Sequence, residues 1–475
     1  MIFSSSLFLV FFLPTFLLIY YLVGKKYKNI VLLISSIAFY SWGAPRFIFV
    51  ILLTTFLDFH LVKWMDRSDS RIKRRTLLVL SVSMNLGLLL YFKYFNFFIS
   101  NVNALAGPLN IHIATIAGLA LPIGISFYTF ETLTYVVDVY RKVHAPLTRF
   151  RDYLLYIILF PKLIAGPIVR YHTIADQIND RFSSDTIDQR LSGFYRFMFG
   201  LGKKVLIANV VGKYADTLLN TDPHQLGMLS AWAGILGYAF QIYFDFSGYS
   251  DMAIGLGRMI GFRLPENFNN PYTASSITEF WRRWHMTLGA WMRNYLYIPL
   301  GGNRVNSKFR LYFNLWLVFL ASGLWHGASW NFIFWGAYHG LFLVLERMFL
   351  LKVYNRTGKW ISIPLTFLIV VTGWVFFRLE HFSAAIQYIH TLFNFGSTVQ
   401  SLTLNKEFLT MLCVATFFSF FTLLPKAISL QEGVFGLVQR TPAHLILTAV
   451  SVILFILSLS SITSADFNPF IYFRF

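Results

Sequence analysis

The chain has 475 residues, a formal net charge of +19 and one cysteine; 56% of it is hydrophobic and only 13% is charged. Soluble domains carry about 25% charged residues, so composition excludes a soluble globular enzyme. A single cysteine, Cys413, also excludes an internal disulfide and a cysteine-based metal centre.

The basic residues lie mostly in short segments between apolar runs. That placement points to membrane orientation and anionic lipid rather than nucleic acid, and no nucleic-acid-binding module is visible. From the N-terminus, apolar runs fall near 6–23, 29–43, 47–62, 76–98, 112–138, 153–169, 191–211, 228–245, 311–326, 331–350, 361–377, 406–424 and 443–462. These runs predict an all-α polytopic membrane protein with roughly 11 to 13 transmembrane helices, some of them tilted or partial. The opening "MIFSSSLFLVFFLPTFLLIYYLV" lacks the basic flank of a cleaved signal, so it reads as a retained first span. "GKKYK" follows the first run and Lys63, Arg67, Arg71, Lys73, Arg74 and Arg75 follow the third, whereas the loop after the second offers only Arg46. The positive-inside rule therefore places the N-terminus outside.

The whole chain, 1–475, reads as one integral-membrane domain, with 246–310 standing out inside it. That segment is rich in Arg, Asn, Gly and Pro, yet it contains "FWRRWHMTLGAWMRNYLYIPLGGNR". On a continuous helix Trp281, Trp284, Leu288 and Trp291 share one face, flanked by Arg282, Arg283 and Arg293. The pattern suits either an interfacial amphipathic helix or a re-entrant segment lining a polar cavity.

Several familiar chemistries are absent. "FGLGKKV" lacks the first glycine and the Ser or Thr of a phosphate loop, and "GLGRMIG" falls out of step with the dinucleotide fingerprint. Neither H-E-x-x-H nor G-x-S-x-G occurs.

Ionisable residues inside apolar runs are therefore the candidates. His326 sits between Gly323 and Gly327 and is followed by the polar "ASWN". A helix that breaks beside an imidazole suggests a cavity, and burial keeps such a ring neutral and able to accept a proton. His339 lies 13 residues on, flanked by Gly336 and Gly340 in a small-xxx-small pattern that favours packing. An unbroken helix would place the two histidines about 20 Å apart, in separate sites. His285, after Trp284, either lines the same cavity as His326 or is an interfacial polar residue. Glu131 and Asp245 are the most deeply placed carboxylates; each either supports the cavity or forms an ion pair that fixes helix register.

"EFWRRWHMTLGAWMRNYLYIPLGGNR" (279–304) followed by "LWHGASWNFIFWGAYHG" (324–340) resembles the membrane-bound O-acyltransferases. The resemblance is to the bacterial branch that includes alginate O-acetyltransferases and the teichoic-acid D-alanyl transfer protein. "YFDFSGYSDMAIGLGRMIGFRLPENFNNPY", "LPIGISFYTFETLTYVVDVYR" and "FPKLIAGPIVRY" look like further blocks of that branch. Gly289 and Asn294 stand where many relatives have Ser and Asp. The second histidine of the teichoic-acid relatives has no counterpart in "ISIPLTFLIVVTGWVFFRLE".

The resemblance implies tilted helices around a central funnel, with His326 as the invariant histidine. It implies acetyl transfer from a cytoplasmic thioester, acetyl-CoA, to an extracytoplasmic polysaccharide, with no bound cofactor and no metal. A separate acetyltransferase partner at the outer face of a bacterial cytoplasmic membrane is expected with it. On this reading His326 is the general base, and Trp325, Asn331 or a backbone amide beside Gly327 donates to the oxyanion. Arg282, Arg283 and Arg293, with Trp284 and His285, either bind the donor or anchor the segment to anionic lipid. Transfer of D-alanyl from a carrier protein, and a proton-coupled transporter, are the alternatives.

Overall fold

In the computed structural model, which describes residues 1–109, 112–396, 404–436, 441–464 and 467–471, the chain is helices, turns and loops, with no strand among the described residues. It is an all-helical multi-pass membrane protein. Six helical stretches among the described residues are long and apolar enough to cross a bilayer: Ile48–Asp66, Arg71–Leu109, Trp330–Thr357, Lys359–Arg378, Lys406–Leu423 and Thr441–Ser464. The sequence predicts more spans because several apolar runs fold into interrupted helices. The run at 153–169, for example, is helical over Phe150–Ile158, kinks at Leu159 and resumes only for Phe160–Leu163. Such backbone survives at membrane depth where protein covers it, so a run can be apolar without being a span.

The chain divides into two compact units, residues 1–190 with 256–265, and residues 191–255 with 266–475. In the first, α1 (Ile48–Asp66) packs beside α2 (Arg71–Leu89), whose N-terminus is capped by Ser70. Between them Asp58 is buried and accepts hydrogen bonds from Ser81 Oγ and from Asn85 Nδ2 at 2.8 Å. A second buried carboxylate, Glu131, lies on α3 (Ile125–Tyr140) and pairs with Lys162. Its Oε1 accepts from Val169 N at 3.2 Å, and the Lys162 ammonium lies 4.6 Å from the Tyr156 ring centroid. The pair thus pins the irregular stretch around 159–169 against α3, which is the register-fixing arrangement.

The second unit is organised around residues 228–255 of α4 (Met228–Met259), a 32-residue helix with carboxylates in its interior. Asp245 pairs with Lys204 at 2.7 Å, and Asp251 pairs with Arg196 at 2.8 Å and Lys203 at 2.7 Å. Residues 468–471 complete the Asp245 site: Ile471 N donates to its Oδ2 at 2.9 Å, Pro469 O accepts from Lys204, and Phe470 lies 4.6 Å from Tyr249. Every formal charge here meets an opposite charge or a dipole, as an apolar surround demands.

Two further helices of this unit, α5 (Lys308–His326) and α6 (Trp330–Leu345), form an antiparallel hairpin with close backbones. A Cβ on Gly336 would come within 2.4 Å of Phe319 O, and one on Gly323 within 2.2 Å of Phe332 O. Glycine is required by proximity at both positions, and a Cβ on Gly340 would come within 2.8 Å of Trp316, so the Gly336/Gly340 small-xxx-small pattern is a helix-packing seam. Gly336→Ala is expected to cost about 1–3 kcal/mol by overpacking, read as a lower thermal midpoint in detergent. Gly87→Ala on α2, where nothing lies within 4 Å, serves as the silent control.

Candidate active site

α5 stops at His326 because Gly327 is extended (φ −165°, ψ 155°) and Ser329, also extended, starts α6 in the opposite direction. A Cβ on Gly327 would fall 2.1 Å from the Phe332 ring, so the reversal also needs a residue without a side chain. His326 therefore sits in the last turn of α5 at the tip of the hairpin. It is 4% exposed and walled by aromatic rings: Trp325 at 4.9 Å, Trp335 at 5.2 Å and Phe377 at 5.1 Å between centroids, all edge to face.

The reversal overturns the expected separation of the two histidines. Trp335, one turn before His339 on α6, touches both: it meets His326 on one side and His339, at 5.1 Å, on the other. His339 is 0% exposed, and neither ring nitrogen has a hydrogen-bond partner among the described residues. Trp281 lies 5.0 Å from it, and a Cβ on Gly373 would sit 2.8 Å from its Nε2. The arithmetic of an unbroken helix failed because the chain turns back between the two residues.

His285 joins the same row of rings from another segment. The continuous helix that would put Trp281, Trp284, Leu288 and Trp291 on one face is in fact two: the helix Ile277–Arg283 ends and a second, Met286–Trp291, begins around a left-handed His285 (φ 44°). Non-glycine residues seldom adopt that conformation, and here it is held by side-chain bonds. His285 Nδ1 lies 3.0 Å from Asn267 Oδ1, which also accepts from Thr287 Oγ1 at 2.8 Å, while Asn267 Nδ2 donates to Ser250 Oγ at 3.0 Å. The bond to a carbonyl oxygen puts the proton of a neutral ring on Nδ1 and leaves Nε2 the basic nitrogen. His285 is 1% exposed and lies 6.0 Å from Trp325, which in turn contacts His326. His285, Trp325, His326, Trp335 and His339 thus form one continuous series of ring contacts.

The other candidates fall elsewhere. Trp284 is buried among Phe268, Phe280 and Trp374, at 5.0 to 5.5 Å, as a packing residue. Arg283 donates to Glu279 and to Thr273 Oγ1, and so is committed within its own segment. Burial pulls the Glu279 carboxyl up, but its bonds from Ser275 and Arg283 outweigh this and hold it below the ordinary carboxylate range. Arg282 and Arg293 are exposed. Asn331 Nδ2 donates to Leu379 O, which ties the start of α6 to the end of Lys359–Arg378. Asp245 and Glu131 are both members of ion pairs. Sequence reasoning missed Trp335 and Asn267. Trp335 carries no local signal beyond its place in an apolar run; Asn267 shows itself only as a polar residue in "ENFNNPY".

A buried imidazole lies at a helix break, boxed by aromatic edges and joined through Trp325 to a second imidazole, an arrangement chemically able to accept a proton. Residues 34–380 match MBOAT, the membrane-bound O-acyltransferase family, and the chain belongs to that family. It is a membrane O-acyltransferase. Among its relatives, the "Probable alginate O-acetylase" of Pseudomonas putida is 41% identical across the full length of both chains. A peptidoglycan O-acetyltransferase of Helicobacter pylori is 35% identical over 82% of this chain and 79% of that one. A teichoic acid D-alanyltransferase of Bacillus subtilis is 29% identical over 55% of this chain and 69% of its own.

Proposed function

We propose that this enzyme moves an acetyl group from a cytoplasmic thioester, acetyl-CoA, to hydroxyls of an extracytoplasmic polysaccharide, and that it works in a bacterial cytoplasmic membrane with its N-terminus outside. The observation that carries the reading is full-length similarity to an alginate O-acetylase combined with His326 at the break of a membrane hairpin. The D-alanyl alternative has weaker support, since the teichoic-acid relative matches only about half of this chain.

In this mechanism the His326 imidazole takes the proton of the acceptor hydroxyl as its oxygen attacks the thioester carbonyl. The carbon–oxygen bond forms, the carbonyl pair moves onto its oxygen, and collapse of that centre expels the thiolate. The imidazolium then returns its proton to the departing sulfur. Arg282 and Arg293, exposed and basic, suit the phosphates of the donor, whereas Arg283 is held by Glu279. The final acceptor is reached with a separate extracytoplasmic acetyltransferase.

Membranes containing the chain, supplied with radiolabelled acetyl-CoA or with a D-alanyl-charged carrier protein, decide the donor. Consumption of acetyl-CoA, with label appearing on surface polysaccharide, is expected. Consumption of the charged carrier alone would overturn the acetyl reading.

A further inference from the structure

The geometry points to Trp335 as a catalytic residue whose indole N–H stabilises the oxyanion formed during acyl transfer, an inference that rests on the acyl-transfer reading above. Trp335 is 0% exposed, and its Nε1 has no hydrogen-bond partner among the described residues. An indole nitrogen can only donate, and a buried donor without an acceptor costs about 1–3 kcal/mol. Packing alone does not explain that cost, because a phenyl ring fills an aromatic box without it. A donor of this kind is what an oxyanion site needs: an N–H in a water-poor place, whose acceptor appears only as the reaction proceeds.

The ring is also fixed before any substrate arrives. It meets His326 at 5.2 Å and 86°, His339 at 5.1 Å, Trp281 at 5.4 Å and Phe377 at 5.1 Å, and it stacks on Trp374 at 5.9 Å and 21°. Five aromatic neighbours leave it little freedom, so alignment requires no reorganisation during the reaction. Its edge-to-face contact with His326 places the indole ring beside the base that starts the step. The Asn331 amide, in contrast, is already spent on Leu379 O.

As His326 removes the hydroxyl proton, the new carbon–oxygen bond pushes the carbonyl electron pair onto oxygen. Trp335 Nε1–H donates to that oxygen until the carbon–sulfur bond breaks and the carbonyl re-forms. No proton leaves the indole, and the thiolate takes its proton from His326.

Two substitutions test this: Trp335→Phe, and replacement of Trp335 by 3-benzothienylalanine, which keeps the bicyclic shape and exchanges N–H for sulfur. Thiol release from acetyl-CoA is followed in membranes of the producing cells, which hold the full chain together with its extracytoplasmic partner, with deacetylated alginate oligosaccharide as acceptor. Both variants are expected to lower kcat by about 10²–10³-fold with KM nearly unchanged. The benzothienyl variant should also keep the wild-type thermal midpoint. Wild-type kcat in the benzothienyl variant overturns the proposal. A loss of activity that only tracks a lowered midpoint in that variant overturns it too. A His326→Phe control separates the two levels: activity surviving there sinks the acyl-transfer mechanism, while activity lost there but retained without the indole N–H sinks only the role of Trp335.

Discussion

His326→Phe is expected to leave a folded, membrane-inserted protein that transfers no acetyl group, with a fall of at least about 10²–10⁴-fold in rate. Phenylalanine preserves the edge contacts to Trp325, Trp335 and Phe377 that surround the imidazole and removes only its nitrogens. His326→Ala should be equally inactive but less stable, because truncating a 4%-exposed ring leaves a cavity between those neighbours. The comparison is informative for that reason: two variants with different stability and the same inactivity place the defect in the chemistry. The measurement is acetyl content of surface glycans by mass spectrometry, normalised to membrane protein level. Acetylation at wild-type level in His326→Phe would remove this residue as the base.

The second large effect is structural. Lys162→Met strands Glu131 at a site where both side chains are essentially unexposed, and removing one partner of such a pair costs about 3–5 kcal/mol. The expected result is a collapse of the thermal midpoint in detergent and rapid proteolysis. Adding Glu131→Gln should reverse most of it, since a neutral amide oxygen can still accept from Val169 N and no buried charge is left. Activity should return with stability in the double variant. A stable but inactive double variant would show that Glu131 does more than hold the 159–169 stretch against its helix.

Some of this was readable in the chain. Apolar runs and sparse charge announce a membrane protein, and the blocks around 279–304 and 324–340 point to the family. The Gly323–His326–Gly327 spacing correctly marked a helix break. The long-range partners were not readable. Asp245 meets Lys204 and the backbone of Ile471, more than 200 residues away, and Asn331 meets Leu379. Helical periodicity across 281–291 misled, because a tertiary bond from Asn267 holds His285 in a conformation that ends the helix.

Hydropathy and local pattern record how each residue relates to lipid, water and its neighbours in the chain, and so the sequence by itself determined the fold class, the family and the helix break beside His326. Which rings enclose that imidazole, and which donors stay without an acceptor, depends on where helices reverse and on which distant segments then pack together. Only the tertiary structure decided that His339 and Trp335 belong with His326, because the reversal at Gly327 turns a distance along one helix into a contact across two.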